Sequence, residues 1–225
     1  DPFTERRGLE QPGLSAPEGD GHITVQPLAE EGSRIAFREG EMGVDQIEDD
    51  TESILSQYGT IGCHDLVVPS YDQSAFESAS GAREAGARLA DLADTLAATD
   101  VRLHYHNHTF EFTPIAEGTA FDAFAQAADG VSLEIDTGLA NHAGIDPVAL
   151  LEEYSDRVHL VHLTDSVHDS DVHDEMHMDL GSGDVDLAAC VDAAADADWL
   201  LFEHGLTDDP IGSVEGAAET MVELV

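Results

Sequence analysis

Residues 131–136 read VSLEID and residues 158–165 read VHLVHLTD. Each is a short apolar run of strand length that delivers a metal-type side chain, Asp136 in the first and His162 in the second. The placement recurs on either side, where Glu111 follows VRLHYHNH (101–108) and Glu203 closes WLLFE (199–203). In a parallel barrel the carboxyl ends of the strands converge on one face, where separate loops build one pocket. Three carboxylates and an imidazole at four such ends form an oxygen-rich set suited to a divalent cation such as Mn²⁺, Mg²⁺ or Co²⁺.

Working outward, strands alternate with helices. DLVVP (65–69) reads as a buried strand, followed by a helical run carrying Phe76, Ala82, Ala85, Leu89, Leu92 and Leu96 at helical spacing. Phe121, Phe124 and Ala128 mark the next helix, and Asp146 with Pro147 opens another whose inner stripe is Val148, Leu151 and Tyr154. An Ala-rich helix spans 187–195, and the last helix is expected to bury Val214, Ala218, Met221 and Val225. Short loops between such units argue for parallel α/β architecture with outer helices. A doubly wound sheet usually announces a glycine-rich nucleotide turn, and no GxGxxG or GxxxxGK[ST] occurs.

The first 60 residues are less regular. ITVQPL (23–28) and RIAF (34–37) are weak strand candidates, and one helix gathers Ile47, Ile54, Leu55 and Tyr58. Residues 1–21 read as unstructured. An eight-fold barrel typically needs ~250 residues. The expectation is therefore a single β/α-barrel domain over 22–225 with at most seven strands, incomplete on its N-terminal side. Such an open barrel leaves room for closure by a second subunit in a homo-oligomer. The chain opens on Asp1, as a processed, truncated or partly represented N-terminus would.

Charge bounds the setting. The formal net charge is −40, from 48 acidic residues against 8 basic ones, all arginine. An acidic disordered tail does not explain it, because the carboxylates lie in periodic segments within a chain that is 42% hydrophobic. Adaptation to very high salt does, since a Debye length of about 3 Å near 1 M screens the self-repulsion. A halophilic cytoplasm is the expected location. A nucleic-acid partner is disfavoured for want of a basic footprint. Cys63 and Cys190 have no CxxC partner, and neither a bilayer-length apolar run nor a signal-peptide pattern is present.

Four motifs in order carry a family resemblance over about residues 60–215. YHNHTFEF (105–112), LEIDTGLANHAGIDP (133–147), DRVHLVHLTD (156–165), and DLGSGDVD (179–186) with LLFEHG (201–206) resemble the sugar phosphate isomerase/epimerase family. These are the xylose-isomerase-like TIM barrels that also include endonuclease IV. The resemblance implies that Glu111, Asp136, His162 and Glu203 hold one divalent metal, with Mn²⁺ first and Mg²⁺ or Co²⁺ as alternatives. His106 competes with Glu111 for the first position, where many relatives place a carboxylate. His106 and His108, sharing a strand face with His104, are read as lining the substrate pocket.

Two departures stand out. Leu139 replaces a histidine that often follows DTG, so His142 is a candidate substitute for contacting substrate, with a place in the following loop as the alternative. Thr164 replaces the lysine of "HLKD", which argues against an anionic substrate. Arg157 is expected to form a surface ion pair. The His168–His173–His177 loop is read as a solvated acidic lid rather than a second metal site. Gly181 and Gly183 are read as turn glycines.

The leading expectation is a metal-dependent isomerase or epimerase acting on a small sugar (or sugar phosphate) or polyol. Glu111 or Glu203 would move the proton by way of an enediolate. An inosose-type dehydratase using the same site, or a degenerate sugar-binding barrel, are the alternatives. A nuclease fits worst, since that chemistry uses more histidine ligands and approaches a polyanion.

Overall fold

The computed structural model describes residues 25–27, 35–37, 39–41 and 43–224. Six parallel strands form one sheet in strict chain order: β3 (Glu39–Glu41), β4 (Asp65–Val68), β5 (Arg102–His106), β6 (Ser132–Asp136), β7 (Val158–His162) and β8 (Trp199–Leu201). Order without reversal, with helices between the strands, is the winding of a barrel rather than of a doubly wound sheet. Among the described residues β3 and β8 are the two edges, so the barrel is open. The five strands expected from residue 65 onward all occur, each with slightly tighter ends.

The N-terminal expectations need correcting. The two weak candidates are strands, β1 (Val25–Pro27) and β2 (Ile35–Phe37), but they pair antiparallel with each other and stand apart from the main sheet. The first parallel strand is Glu-Gly-Glu of β3, which pairs with Asp65–Val67. Three residues, two of them charged, carry no strand pattern to read. Among the described residues the barrel strands number six, within the expected limit of seven. The segment 1–21 lies outside the described residues.

Register sorts the side chains. Parallel partners face the same way, so the pairs Val67–His104, His106–Glu134, Asp136–His162, Leu160–Trp199 and His162–Leu201 line the inner face. A bulge at Leu133/Glu134 lets β7 pass with one extra residue. The alternate residues Leu66, Val68, Leu103, Tyr105, Leu133, Ile135 and Val161 pack outward against the helices. These helices are α1 (Val44–Ile61), α2 (Ala79–Leu96), α3 (Ala120–Ala127), α4 (Thr137–His142), α5 (Pro147–Glu153), α6 (Leu187–Ala193) and α7 (Pro210–Leu224). Tyr105 anchors that layer, its ring 4.4 Å from Phe124 and 6.3 Å from Phe76. Full burial of each such ring contributes about 1.5–3 kcal/mol.

Helix starts follow local chemistry. Ser78 accepts from Gly81 N–H, Thr119 and Asp122 form a capping box, and Asp146 accepts from Val148 and Ala149 N–H ahead of Pro147. Arg157 departs from its expected surface ion pair. Its guanidinium donates to the carbonyls of Ala125, Ala128 and Val131, at 2.7–3.1 Å, closing the C-terminal end of α3. Helix α7 is rotated from expectation. Ser213 and Ala217 are buried, whereas Val214 is 58% exposed and Ala218 is exposed. Met221 is half-buried, and Val225 lies outside the described residues.

Candidate metal centre

At the carboxyl end of the sheet, His106, Asp136 and His162 each offer one ligand atom, and the three atoms lie within 4.8 Å of one another. All three residues are buried. Strand β6 places Asp136 at its last position, where the chain turns into α4. There Asp136 Oδ1 accepts from Leu139 N–H at 2.7 Å and from the Thr164 hydroxyl at 2.5 Å. Asn107 clamps the backbone of Asp136, accepting its N–H at 3.0 Å and donating to its carbonyl at 3.4 Å. One carboxylate oxygen is thus tied down, while Oδ2 is buried without a hydrogen-bond partner.

His162, at the end of β7, stands among three carboxylates. Its Nε2 is 3.2 Å from Glu134 Oε1, and its Nδ1 is 3.3 Å from Glu203 Oε2 and 3.9 Å from Asp136 Oδ2. These are ion-pair distances, but none of the contacts lies along a ring N–H, so both nitrogens lack a hydrogen bond. The surrounding carboxylates outweigh burial and hold the imidazole well above its ordinary pKa. The close approach of His162 in turn draws the Glu203 carboxyl down to about 2. Glu203 lies past the end of β8 and is exposed, reaching the cluster through His162.

Glu111, expected as a ligand and proton carrier, stands outside this cluster. Beyond β5 the chain makes a single 3₁₀ turn, Phe110–Phe112, which carries Glu111 towards the helical layer. There Oε1 accepts from Tyr105 O–H at 2.7 Å and Oε2 from His108 N–H at 2.8 Å. Burial pushes its pKa up to about 6. The group that β5 sends into the cluster is His106, its ring 4.8 Å from that of His162. His108 stacks on Phe110 and lies edge-on to His106, and burial lowers its pKa to about 4, leaving a neutral ring.

His142 ends α4, its Nδ1 3.3 Å from the Val167 carbonyl, and lines a cleft of about 330 Å³ with Phe112, Asp169 and Met176. It is not in the cluster. A larger cavity of about 820 Å³, between the start of α1 and α2 beside Tyr71 and Arg88, contains none of the candidate ligands.

Several residues that shape the site are not among the expected ligands or substrate contacts. Glu134 is fully buried between His106 and His162, and strand alternation from Asp136 places it on the same face. His177, read as part of a solvated lid, is half-buried with an orphaned Nδ1 and lies within electrostatic reach of Asp136, Glu203 and His106. Nothing in its loop sequence marks it. Thr164, noted only as a lost lysine, secures Asp136 and also accepts from Gly138 N–H at 2.8 Å. Asp165 holds the turn behind the site, accepting from the N–H groups of Gly181, Gly183 and Val185. Gly181 has φ +85°, as expected of a turn glycine, whereas Gly183 is needed for closeness, since a Cβ there would overlap Asp165 and the Ser166 carbonyl.

The donor set fits a divalent cation. Two imidazoles and a carboxylate oxygen converge, two of the buried donor residues carry unpaired polar atoms, and a further carboxylate stands at the mouth.

The profile of the xylose isomerase-like TIM barrel matches residues 15–221. The chain belongs to that family. A 71-residue segment is 41% identical to the inosose dehydratase of Geobacillus kaustophilus, covering 31% of this chain and 22% of the relative. The chain therefore spans well under half of that curated relative. Among solved structures, a sugar phosphate isomerase/epimerase from Parabacteroides distasonis superposes with a TM-score of 0.64 at 17% identity, over 83% of this chain and 69% of the other. The IOLI protein, whose structure holds a zinc atom, superposes with a TM-score of 0.57 at 15% identity, over 80% and 69%. No helix among the described residues is long and apolar enough to cross a membrane.

Proposed function

We propose that the chain carries the active site of a divalent-metal-dependent isomerase or epimerase for a ketose or related polyol. The observation that supports this reading is the convergence of His106, Asp136 and His162 on one point with unpaired buried donor atoms. His106 is the ligand from β5, with Asp136, His162 and Glu203 completing the set. Two imidazoles make Zn²⁺ or Co²⁺ as suitable as Mn²⁺, and the zinc in the IOLI structure accords with that. A bound cation would polarise the substrate carbonyl and acidify the adjacent C–H.

The protein's own part is proton transfer and orientation. Glu203, ionised at the mouth, takes the proton from carbon, and the C–H electron pair moves into an enediolate. Glu203, protonated by that step, returns the proton at the neighbouring carbon, while Glu111, held outside the cavity by Tyr105 and the His108 N–H, keeps His108 in place. His108 and His142 remain candidates for contacts to substrate hydroxyls.

The identity shared with an inosose dehydratase favours a second reading, in which the same proton abstraction expels a β-hydroxyl. Incubation with Mn²⁺ or Zn²⁺ and a panel of ketoses and inososes separates the two. A C2 or C3 epimer or an aldose supports the first, and an unsaturated or deoxy product supports the second. Binding of metal and sugar without turnover would instead identify a degenerate barrel.

A further inference from the structure

Glu134 is a carboxylate with no exposure, on the inner face of β6 one alternation below Asp136. Burying an ionised carboxylate is costly unless N–H donors surround it. Among the described residues its polar partners are two imidazoles and no arginine. Its Oε2 accepts from His106 Nδ1 at 3.1 Å, and its Oε1 lies 3.2 Å from His162 Nε2. Those contacts also decide which nitrogens remain. With Nδ1 of His106 directed at Glu134, Nε2 is left. The Nε2 of His162 lies on the Glu134 side, 3.2 Å from Oε1 though not aligned for a hydrogen bond, which leaves Nδ1 on the side of Asp136 Oδ2 and Glu203 Oε2.

We propose that Glu134 is a positioning residue whose single carboxylate serves both imidazoles when a cation is bound, accepting from His106 Nδ1 as it does here and from His162 Nε2 after a small turn of that ring, so that His106 ligates through Nε2 and His162 through Nδ1. A carboxylate accepts only, so it suits two N–H groups at once. It thereby fixes the tautomer and ring plane of both histidines and raises their basicity. The inference rests on the metal-centre reading. It adds that the two histidines are set by one shared acceptor rather than independently.

The test uses the full chain in about 2 M KCl. In the Zn²⁺-loaded protein, ¹⁵N-histidine correlation spectra should show His106 metallated at Nε2 and His162 at Nδ1, each with a proton on the other nitrogen. In Glu134→Gln one imidazole N–H meets an amide NH₂ in place of an acceptor. Its Zn²⁺ affinity, measured by chelator competition, should fall by about 10–100-fold, while the Co²⁺ absorption spectrum keeps the wild-type ligand number. Unchanged affinity in E134Q, the opposite nitrogen on either ring, or a lost ligand in the Co²⁺ spectrum would each overturn the inference. The last outcome would make Glu134 a ligand itself. Should E134Q not fold, the nitrogen assignments in the wild-type protein decide alone. Failure of the wild-type protein to bind Zn²⁺ or Co²⁺ would instead overturn the metal-centre reading beneath it.

Discussion

Replacing Asp136 separates what it does for the fold from what it does for the cation. Oδ1 caps α4 through Leu139 N–H and accepts from Thr164, while Oδ2 is the unpaired oxygen facing His162. Asparagine caps as well as aspartate, so Asp136→Asn should leave the metal-free Tm within about 2 °C of wild type. It puts an amide donor where the cation needs an oxygen, so it should not respond to metal. Asp136→Ala loses the cap and leaves two buried partners unpaired, a cost of about 2–4 kcal/mol. At this chain length that lowers Tm by roughly 4–16 °C. Mn²⁺ at about 100 times its Kd should stabilise the wild type by about 2.7 kcal/mol, a rise of roughly 5–11 °C. The assay is a thermal melt of all three proteins with and without Mn²⁺. An Asp136→Asn protein that keeps the wild-type Mn²⁺ shift would refute the assignment of Oδ2 as a ligand.

Three further outcomes are expected. Melts at about 0.1 M and 2 M KCl should show Tm rising with salt, because salt screens repulsion among the excess carboxylates; an unchanged or lower Tm at 2 M would end the halophilic proposal. Gly183→Ala should cost at least about 1–3 kcal/mol in denaturant unfolding, since the added methyl group must displace Asp165 or the Ser166 backbone. Cys190, buried with its thiol pushed up to about 12, should resist iodoacetamide at pH 8 in the native protein and react once unfolded.

Legibility in the sequence tracked regular periodicity. From Asp65 to Leu201 the apolar alternation of strands and the 3.6-residue spacing of helices dictated the architecture, because burial on one face leaves little freedom in register. Asp136 and His162 could be located for the same reason, being the last residues of their strands. Glu111 could not. The alternation along His104 and His106 ends at His106, and the following 3₁₀ turn sends Glu111 to Tyr105 instead of into the cavity. Attention to strand ends alone passes over Glu134, although alternation puts it beside Asp136. Helix α7 carries apolar residues on two faces, and the face that packs uses the small Ser213 and Ala217, so the larger side chains give the wrong phase.

The electrostatics of the site bear on what it can accept. Beside the imidazoles, the groups around the cluster are carboxylates: Glu134, Asp136 and Glu203. The arginines among the described residues are committed elsewhere. Arg88 pairs with Asp45 and Glu48, Arg102 with Asp198, Arg157 with the carbonyls ending α3, and Arg83 with the Ala79 carbonyl. Thr164, where relatives carry a lysine, spends its hydroxyl on Asp136 and Gly138. A phosphorylated substrate would bring two negative charges to a pocket where, among the described residues, no arginine balances them and the cation is already shared among carboxylates. An uncharged sugar or cyclic polyol needs no such partner, because vicinal oxygens on a cation and hydroxyl contacts to His108 suffice to orient it. The proposed substrate class is therefore the neutral one, set by the same loss of lysine that lets Thr164 hold Asp136 in place.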